Sequence, residues 1–177
     1  MEETYQMEGL NLLQHGQQVW HYYERLLNGD HEGMKIPDWY TQHQEFISQN
    51  LYPRDIIEIY TVWHDIGKTE TVQVGEDGRK RFPGHAEASE RIWLSLGGDP
   101  EIATLMGLDM IFHTESAEQI LQRNLEAKVL CTLMLAALAE LHANAEMFGG
   151  ITSESFCIKF KKLRQRARKI LAVLDKP

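Results

Sequence analysis

Hydrophobic positions recur at helical spacing along most of this chain. Between residues 4 and 29 they form one broad face, and Asn28-Gly29 provides a stop, which predicts a first long helix. Pro37 opens a second helix that extends to about residue 49, and Pro53 opens a third that extends to about residue 66. The first third of the chain is therefore expected to be helical.

Strand character is confined to one short stretch after the third helix. Polar and apolar residues alternate over 71–74, as in a strand, and residues 75–78 have the composition of a turn. Residues 79–82 would form the returning strand, so the segment predicts a small exposed β-hairpin. The hairpin sequence carries Arg79 and Arg81, which could contact a substrate phosphate, although a solvated basic surface is the more common role of such a run. Four further helices are predicted, over residues 83–98, 100–113, 124–148 and 153–174.

The last two predicted helices differ in character. Residues 124–148 are apolar on almost every side, so this helix should be central to the fold. The helix at about 153–174 has an apolar stripe at spacings of three and four, with Lys and Arg between the apolar positions. Residues 151–177 hold 8 Lys and Arg against 2 Asp and Glu, whereas residues 1–150 hold 10 against 24. The acidic body disfavours non-specific binding to nucleic acid, and the last helix should present a basic outer face.

Length and composition are those of one soluble domain. The 177 residues are 43% hydrophobic and 25% charged, which is ordinary for a globular protein of this size. The start of the chain lacks the pattern of a secretory signal, and the longest apolar stretch is shorter than a membrane span requires. A cytoplasmic protein without a membrane partner is therefore expected. Cys131 and Cys157 lie at apolar helix positions and do not form a closely spaced metal pair.

The candidate chemistry is concentrated in the segment from Val62 to Lys68. It places His64 beside Asp65 at the end of an apolar run, with Lys68 one helical turn later. Adjacent residues on a helix point about 100° apart, so both side chains reach one cation only if other elements complete its coordination shell. Such partners must come from other parts of the chain.

Other histidines complete a recognisable pattern. His15 lies on or beside the buried face of the first helix, and His85 begins the segment His-Ala-Glu-Ala-Ser. His113 follows near the end of the fifth predicted helix. The order of these residues around His64 and Asp65 resembles the HD-domain superfamily of metal-dependent phosphohydrolases, and the resemblance runs from His15 to about residue 148.

This resemblance implies both a fold and a site. Together with the helix count it predicts an all-α, single-domain HD-type bundle over residues 1–177, with about seven helices and one small hairpin. By the resemblance, His15, His64 and Asp65 are the metal ligands common to the superfamily, and His85 and His113 are the additional histidines of two-metal members. One or two divalent ions are implied. Nitrogen and oxygen ligands suit Mn, Fe, Co, Ni or Zn, and Mg if carboxylates dominate.

One departure from the superfamily concerns the late aspartate that usually closes the site. Residues 125–148 contain no Asp, and their polar positions include Glu140, His142 and Glu146. His142 is the favoured replacement ligand, with Glu146 at i+4 beside it, although packing of His142 in the core is equally consistent with the sequence. Asp109, four residues before His113, is a further candidate to bind the cation or to orient the imidazole.

The predicted function is hydrolysis of a phosphomonoester or phosphodiester in a nucleotide or at a nucleic-acid end by a metal-activated water. Asp65 would bridge the metal ions, and Lys68 would stabilise phosphate charge in the transition state. Two alternatives remain open. One is a nucleic-acid-binding or nucleotide-sensing module with a structural metal cluster, and the other is a pseudoenzyme that binds a nucleotide without turnover. Neither the substrate, the metal, nor the oligomeric state follows from the sequence.

Overall fold

The computed structural model describes residues 5–7 and 10–176, and within them the chain is mainly helical. The elements in chain order are β1 (Tyr5–Met7), β2 (Leu10–Asn11), α1 (Leu12–Leu27), α2 (Asp38–Gln42), α3 (Gln44–Gln49), α4 (Arg54–Trp63), α5 (Lys68–Thr71), β3 (Gln73–Val74), β4 (Lys80–Arg81), α6 (His85–Ser95), α7 (Pro100–Gly107), α8 (Ile111–Thr114), α9 (Ala117–Gln122), α10 (Ala127–Ala143), a 3-10 helix (Glu146–Phe148) and α11 (Glu154–Leu174). The all-α prediction is thereby confirmed, while the HD-type arrangement stays a prediction.

The chain divides into two compact units, each built from two separate segments. The first unit takes the described residues up to 20 and residues 54–110. The second takes residues 21–53 and the described residues from 111 onward. That the two units together form one domain, as expected from the sequence, stays a prediction.

The first helix begins later than its hydrophobic pattern predicted. Residues 5–7 and 10–11 form the antiparallel strands β1 and β2, so the prediction of helix from residue 4 is wrong there. Helix α1 starts at Leu12 because Asn11 and Gln14 form a reciprocal cap: Asn11 Oδ1 accepts from the Gln14 backbone N–H at 2.9 Å, and Gln14 Oε1 accepts from the Asn11 N–H at 3.1 Å.

Three predicted helices are interrupted. The second splits at His43, whose φ of −117° and ψ of 22° are not helical and whose Nδ1 lies 2.6 Å from Asp175 Oδ2. The third ends at Trp63, so His64 and Asp65 lie in the turn that follows α4 rather than on the helix. The fifth ends at Gly107, and α8 starts only at Ile111. Residues on either side of these points therefore do not lie on one helix, and their i, i+4 spacing does not place them on one face.

The hairpin after the His64-Asp65 turn is confirmed. Strands β3 and β4 pair antiparallel, with Gln73 opposite Arg81 and Val74 opposite Lys80. A glycine at position 78 adopts a φ of 72° in the connecting turn, a conformation that glycine adopts without steric cost. The hairpin joins α5 to α6 in the first unit and is exposed along both strands.

Helix α10 forms the centre of the second unit. Thirteen of its 17 residues are buried, which agrees with the prediction of a central apolar helix. Helix α11 packs against it, and its N-terminus is capped by Ser153, whose Oγ accepts from the Phe156 N–H at 3.2 Å. Five buried positions of α11 belong to the predicted apolar stripe: Phe156, Phe160, Leu163, Ala167 and Ile170. Leu171 is buried in place of the predicted Leu174, which is half-buried.

Bilayer-crossing helices are absent from the part of the chain that the structure describes, since none of its helices combines the necessary length with the necessary apolar character.

Candidate metal centre

The position of His15 is fixed by the glycine that follows it. A Cβ added at Gly16 would lie 2.1 Å from the Val62 carbonyl oxygen, so only glycine allows the backbone of α1 to approach the end of α4 this closely. His15 is completely buried at this contact. The close approach places its imidazole beside the turn that contains His64 and Asp65.

A second glycine fixes the other side of the same turn. A Cβ added at Gly67 would lie 2.2 Å from the His85 carbonyl oxygen and 2.5 Å from the Ser89 backbone nitrogen. The Gly67 N–H instead donates to Ser89 Oγ at 2.9 Å. The turn therefore lies directly against the first turn of α6, where His85 is located.

Three imidazoles converge on the carboxylate of Asp65, which is 1% exposed. The Nε2 atoms of His15 and His64 lie 3.7 and 3.5 Å from Asp65 Oδ2, and His85 Nε2 lies 3.6 Å from Asp65 Oδ1. The ligand atoms of His15, His64 and Asp65 all lie within 4.8 Å of one another. We call these three residues together with His85 the histidine–aspartate cluster. His15, His64 and Asp65 were predicted to lie at one metal site, and the structure brings them together; ligation of a metal by His85 stays a prediction.

Backbone hydrogen bonds orient two of these rings. His64 Nδ1 donates to the Thr61 carbonyl at 2.7 Å, and His85 Nδ1 donates to the Phe82 carbonyl at 2.9 Å. Because a carbonyl oxygen only accepts, the neutral rings carry their proton on Nδ1 and direct the lone pair of Nε2 toward Asp65. Such a bond from the far nitrogen is the usual way in which a protein fixes a metal-binding histidine.

Lys68 forms the closest contact to the cluster. Its Nζ lies 2.6 Å from Asp65 Oδ2, and the same ammonium lies 5.2 Å from the centre of the Phe82 ring. Both Lys68 and Asp65 are buried, so the ammonium offsets a carboxylate charge that would be costly to bury without a partner. The structure thus places Lys68 on Asp65, and its predicted contact with a substrate phosphate stays a prediction.

The donor set suits a divalent cation. Two atoms bound to one cation at about 2.1 Å lie roughly 3.0 to 3.6 Å apart for bond angles between 90 and 120°, which is close to the separations between the histidine nitrogens and Asp65. Imidazole nitrogen with one carboxylate suits Zn, Mn, Fe, Co or Ni. His15, His64 and Asp65 can therefore hold a metal ion.

The other predicted histidines lie in the second unit, where His113 has an acidic partner. His113 Nε2 lies 2.8 Å from Glu140 Oε2. In the sequence, Glu140 was only one of several candidates to replace the late aspartate, and its spacing did not connect it to His113. A role for His113 at the metal centre stays a prediction.

His142 is hydrogen-bonded at both ring nitrogens. Its Nδ1 donates to the Leu138 carbonyl at 2.9 Å, and its Nε2 accepts from the Lys35 backbone N–H at 2.9 Å. Burial lowers the pKa of His142 below its ordinary value, which favours the neutral ring that these two bonds require. This arrangement leaves no ring nitrogen for a cation and corresponds to the alternative of a core histidine. Since α10 ends at Ala143, the expected i, i+4 neighbour Glu146 lies beyond the helix and is exposed.

Asp109 and the hairpin arginines have partners that the sequence did not indicate. Tyr60 OH donates to Asp109 Oδ1 at 2.5 Å in the first unit. Helix α7 ends before Asp109, so the i, i+4 relationship that linked it to His113 does not apply. Arg79 and Arg81 are highly exposed and lie 3.9 and 3.3 Å from Asp77 Oδ2, so part of their charge is compensated within the hairpin. Their contact with substrate stays a prediction.

The residues that sequence reasoning missed act mainly through the backbone. Thr61 orients His64 through its carbonyl, and Ser89 holds the turn through Gly67. Ser89 is four residues after His85 in the segment His-Ala-Glu-Ala-Ser, so its presence on the same helix side was visible in the sequence. The sequence did not indicate that Ser89 accepts a hydrogen bond from Gly67, because that bond depends on how the turn packs against α6.

Comparisons with models of protein families, with curated protein sequences and with solved structures found no match. The resemblance to the HD-domain superfamily therefore rests on the residues described above.

Proposed function

We propose that this protein is a metal-dependent phosphohydrolase whose centre is the histidine–aspartate cluster of the first unit. The observation that supports the proposal is the convergence of His15, His64 and His85 on the buried carboxylate of Asp65. A group of three imidazoles around one buried acid has little value as a hydrophobic core, because each polar atom loses hydration there. It has clear value as a ligand set for a cation.

The side chains of the cluster have two roles, binding and orientation. His15, His64, His85 and Asp65 would hold the ion through Nε2 and carboxylate oxygen. The carbonyls of Thr61 and Phe82 hold the rings of His64 and His85 in the tautomer that binding requires. Lys68 shares Asp65 and so adds positive charge next to the site where a phosphate oxyanion would be stabilised.

A divalent cation would supply two effects: it would lower the pKa of a bound water molecule toward neutral pH, and it would add to the offset of charge on phosphoryl oxygens. Because both effects act on phosphate esters, we propose a phosphomonoester or phosphodiester substrate, in a nucleotide or at a nucleic-acid end. The exposed basic residues of the β3–β4 hairpin, which lies between Asp65 and His85 in the sequence, support an anionic substrate.

The test combines metal content with turnover. Protein purified without chelator is analysed for bound metal, and phosphate release is then measured from nucleotides and phosphorylated oligonucleotides with Mn, Mg, Co, Ni or Zn added. We expect bound transition metal and turnover that Asp65→Asn abolishes. His21→Ala is the matched control, because His21 is an exposed histidine on the same helix as His15 and should leave both properties unchanged.

The alternative function, a nucleic-acid-binding or nucleotide-sensing module with a structural metal cluster, gives a different result in the same experiment. Metal would then be bound without turnover, and oligonucleotide binding would weaken steeply with salt. Three of the seven basic residues of α11 are paired with a carboxylate within the second unit. Arg164 and Arg168 lie within 3.7 Å of Asp38, and Lys169 lies 2.8 Å from Glu118. These pairs reduce the basic charge that α11 offers to a nucleic acid, and salt-dependent oligonucleotide binding distinguishes the two functions.

A further inference from the structure

The second unit contains a cavity of about 230 Å³ between α8, α10 and α11. Apolar side chains of all three helices form part of its wall, and polar side chains line it from α8, α10, α11 and the segment after α10. The polar lining residues are His113, Glu140, Asn144, Lys159, Lys162 and Arg166. We call this space the α8–α10–α11 cavity.

Three cationic side chains line the cavity from one helix. Lys159, Lys162 and Arg166 are separated by three and four residues, so they project from one face of α11. The Lys159 ammonium lies 4.9 Å from the centre of the Phe148 ring, and the half-buried Arg166 donates to the Phe112 carbonyl. These contacts hold two of the cations in place at the cavity wall.

Lys162 differs from its neighbours on α11. Among the described residues it has no ion-pair partner, whereas Arg164, Arg168 and Lys169 are paired with Asp38 or Glu118. The carboxylate that lines the cavity, Glu140, is already paired with His113 at 2.8 Å. Positive charge therefore exceeds negative charge at the cavity wall, which favours an anionic ligand.

Asn144 indicates a second property of the ligand. It is 8% exposed, and its Nδ2 donates to Glu140 Oε1 at 3.4 Å. Its Oδ1 is buried and has no hydrogen-bond partner within the part of the chain that the structure describes. Buried amide oxygens usually accept a hydrogen bond, so a ligand that completes this site should bring a donor such as a hydroxyl.

We propose that the α8–α10–α11 cavity binds a phosphomonoester whose organic part carries a hydroxyl group. The phosphate lies against Lys159, Lys162 and Arg166, and the hydroxyl donates to Asn144 Oδ1. A wider cleft of about 890 Å³ shares the lining residues His113, Lys162 and Arg166 with the cavity and accommodates the remainder of the ligand. The binding site belongs to the second unit and does not depend on the proposed phosphohydrolase activity.

The test is calorimetric titration of the full-length protein in buffer with a chelator, using ribose 5-phosphate, inorganic phosphate and ribose as probes. Both phosphates should bind, ribose 5-phosphate more tightly, and ribose should not bind. Lys162→Gln should weaken both phosphates about tenfold, as expected for one charge-assisted hydrogen bond. Lys161→Gln is the matched control: it removes the same charge from the adjacent position, which is exposed and lines neither cavity.

Two more variants test the role of the hydroxyl group and the independence of the cavity from the metal centre. Asn144→Ala should remove the preference for ribose 5-phosphate and leave the affinity for inorganic phosphate unchanged. Asp65→Asn should leave both affinities unchanged, because Asp65 belongs to the metal centre. The proposal is overturned if neither phosphate binds at millimolar concentration, if Lys161→Gln and Lys162→Gln weaken binding equally, or if Asp65→Asn abolishes it.

Discussion

Three histidines, two in the first unit and one in the second, make the same kind of hydrogen bond through Nδ1. Their Nε2 atoms face different partners. His64 and His85 of the first unit and His142 of the second each donate Nδ1 to a carbonyl three or four residues earlier, at 2.7 to 2.9 Å. At Nε2, the first two face the carboxylate of Asp65, whereas His142 accepts a backbone N–H from Lys35. The local bond fixes the tautomer in every case. The partner of Nε2 therefore decides whether a histidine is available to a ligand.

Among the changes that test this comparison, removing the Lys68 ammonium beside Asp65 should have the largest effect on stability. Lys68→Met leaves a buried carboxylate without its closest cation, and loss of one partner of a buried pair costs about 3 kcal/mol of unfolding free energy. Added Mn²⁺ should then raise the Tm of the variant more than that of the native chain, because the ion replaces the missing charge. Thermal unfolding with and without Mn²⁺ measures both effects.

The control for this change is Lys80→Met, which removes an exposed lysine from the hairpin and should leave the Tm unchanged. Equal destabilisation by the two substitutions would show that the buried pair has no special role.

The backbone contact that assembles the cluster should give the next largest effect. Gly67→Ala forces a methyl group against the His85 carbonyl and Ser89 backbone, and overpacking of this kind costs about 2 kcal/mol. It should also weaken metal binding, because α6 can no longer approach the turn. Urea unfolding and a metal titration measure the two losses.

Gly97→Ala is the control for Gly67→Ala, because it changes a glycine of the same unit without creating a steric collision. Gly97 has a φ of 76° and nothing within 4 Å of an added Cβ, so alanine there adds strain without a collision. It should leave metal affinity at the native value. A metal affinity that fell equally in both variants would contradict the role assigned to Gly67.

A smaller effect is expected from the ligand that lies on the opposite side of Asp65. His85→Ala should weaken divalent metal binding about tenfold, or about 1.4 kcal/mol, while His15 and His64 retain the ion. The same substitution at the exposed His21 should have no effect on affinity. An unchanged affinity in His85→Ala would restrict the centre to His15, His64 and Asp65.

The smallest effect concerns His142 and the pH. Because burial lowers its pKa in the folded protein, the unfolded chain takes up a proton first as the pH falls below about 6.5. The contribution of His142 to stability is therefore complete above that pH and is lost progressively below it. His142→Gln should flatten the dependence of unfolding free energy on pH between 7 and 5, as measured by urea unfolding. An unaltered slope would mean that other groups cause the dependence.

The sequence predicted the residues that gather around Asp65, and one of them, His15, lies 49 residues before His64 and was assigned only through the resemblance. His64, Asp65 and Lys68 fall within one short segment, and His85 follows just after the hairpin, so their types and spacing were sufficient. The state of His142 was not predictable, because its Nε2 partner is 107 residues away in sequence. Helix ends were also poorly predicted, since hydrophobic spacing continued past His43 and past Gly107, where the backbone leaves the helix.

The division of each unit between two distant segments has a consequence for synthesis on the ribosome. Asp38 pairs with Arg164, 126 residues further along the chain, and at about 5 to 20 residues per second that separation corresponds to roughly 6 to 25 seconds of translation. Through that interval α2, which carries Trp39 and Tyr40 that are buried in the finished protein, lacks its contact with α11. Nascent chains of this protein should therefore depend on chaperones that cover aromatic residues until the last helix has been made.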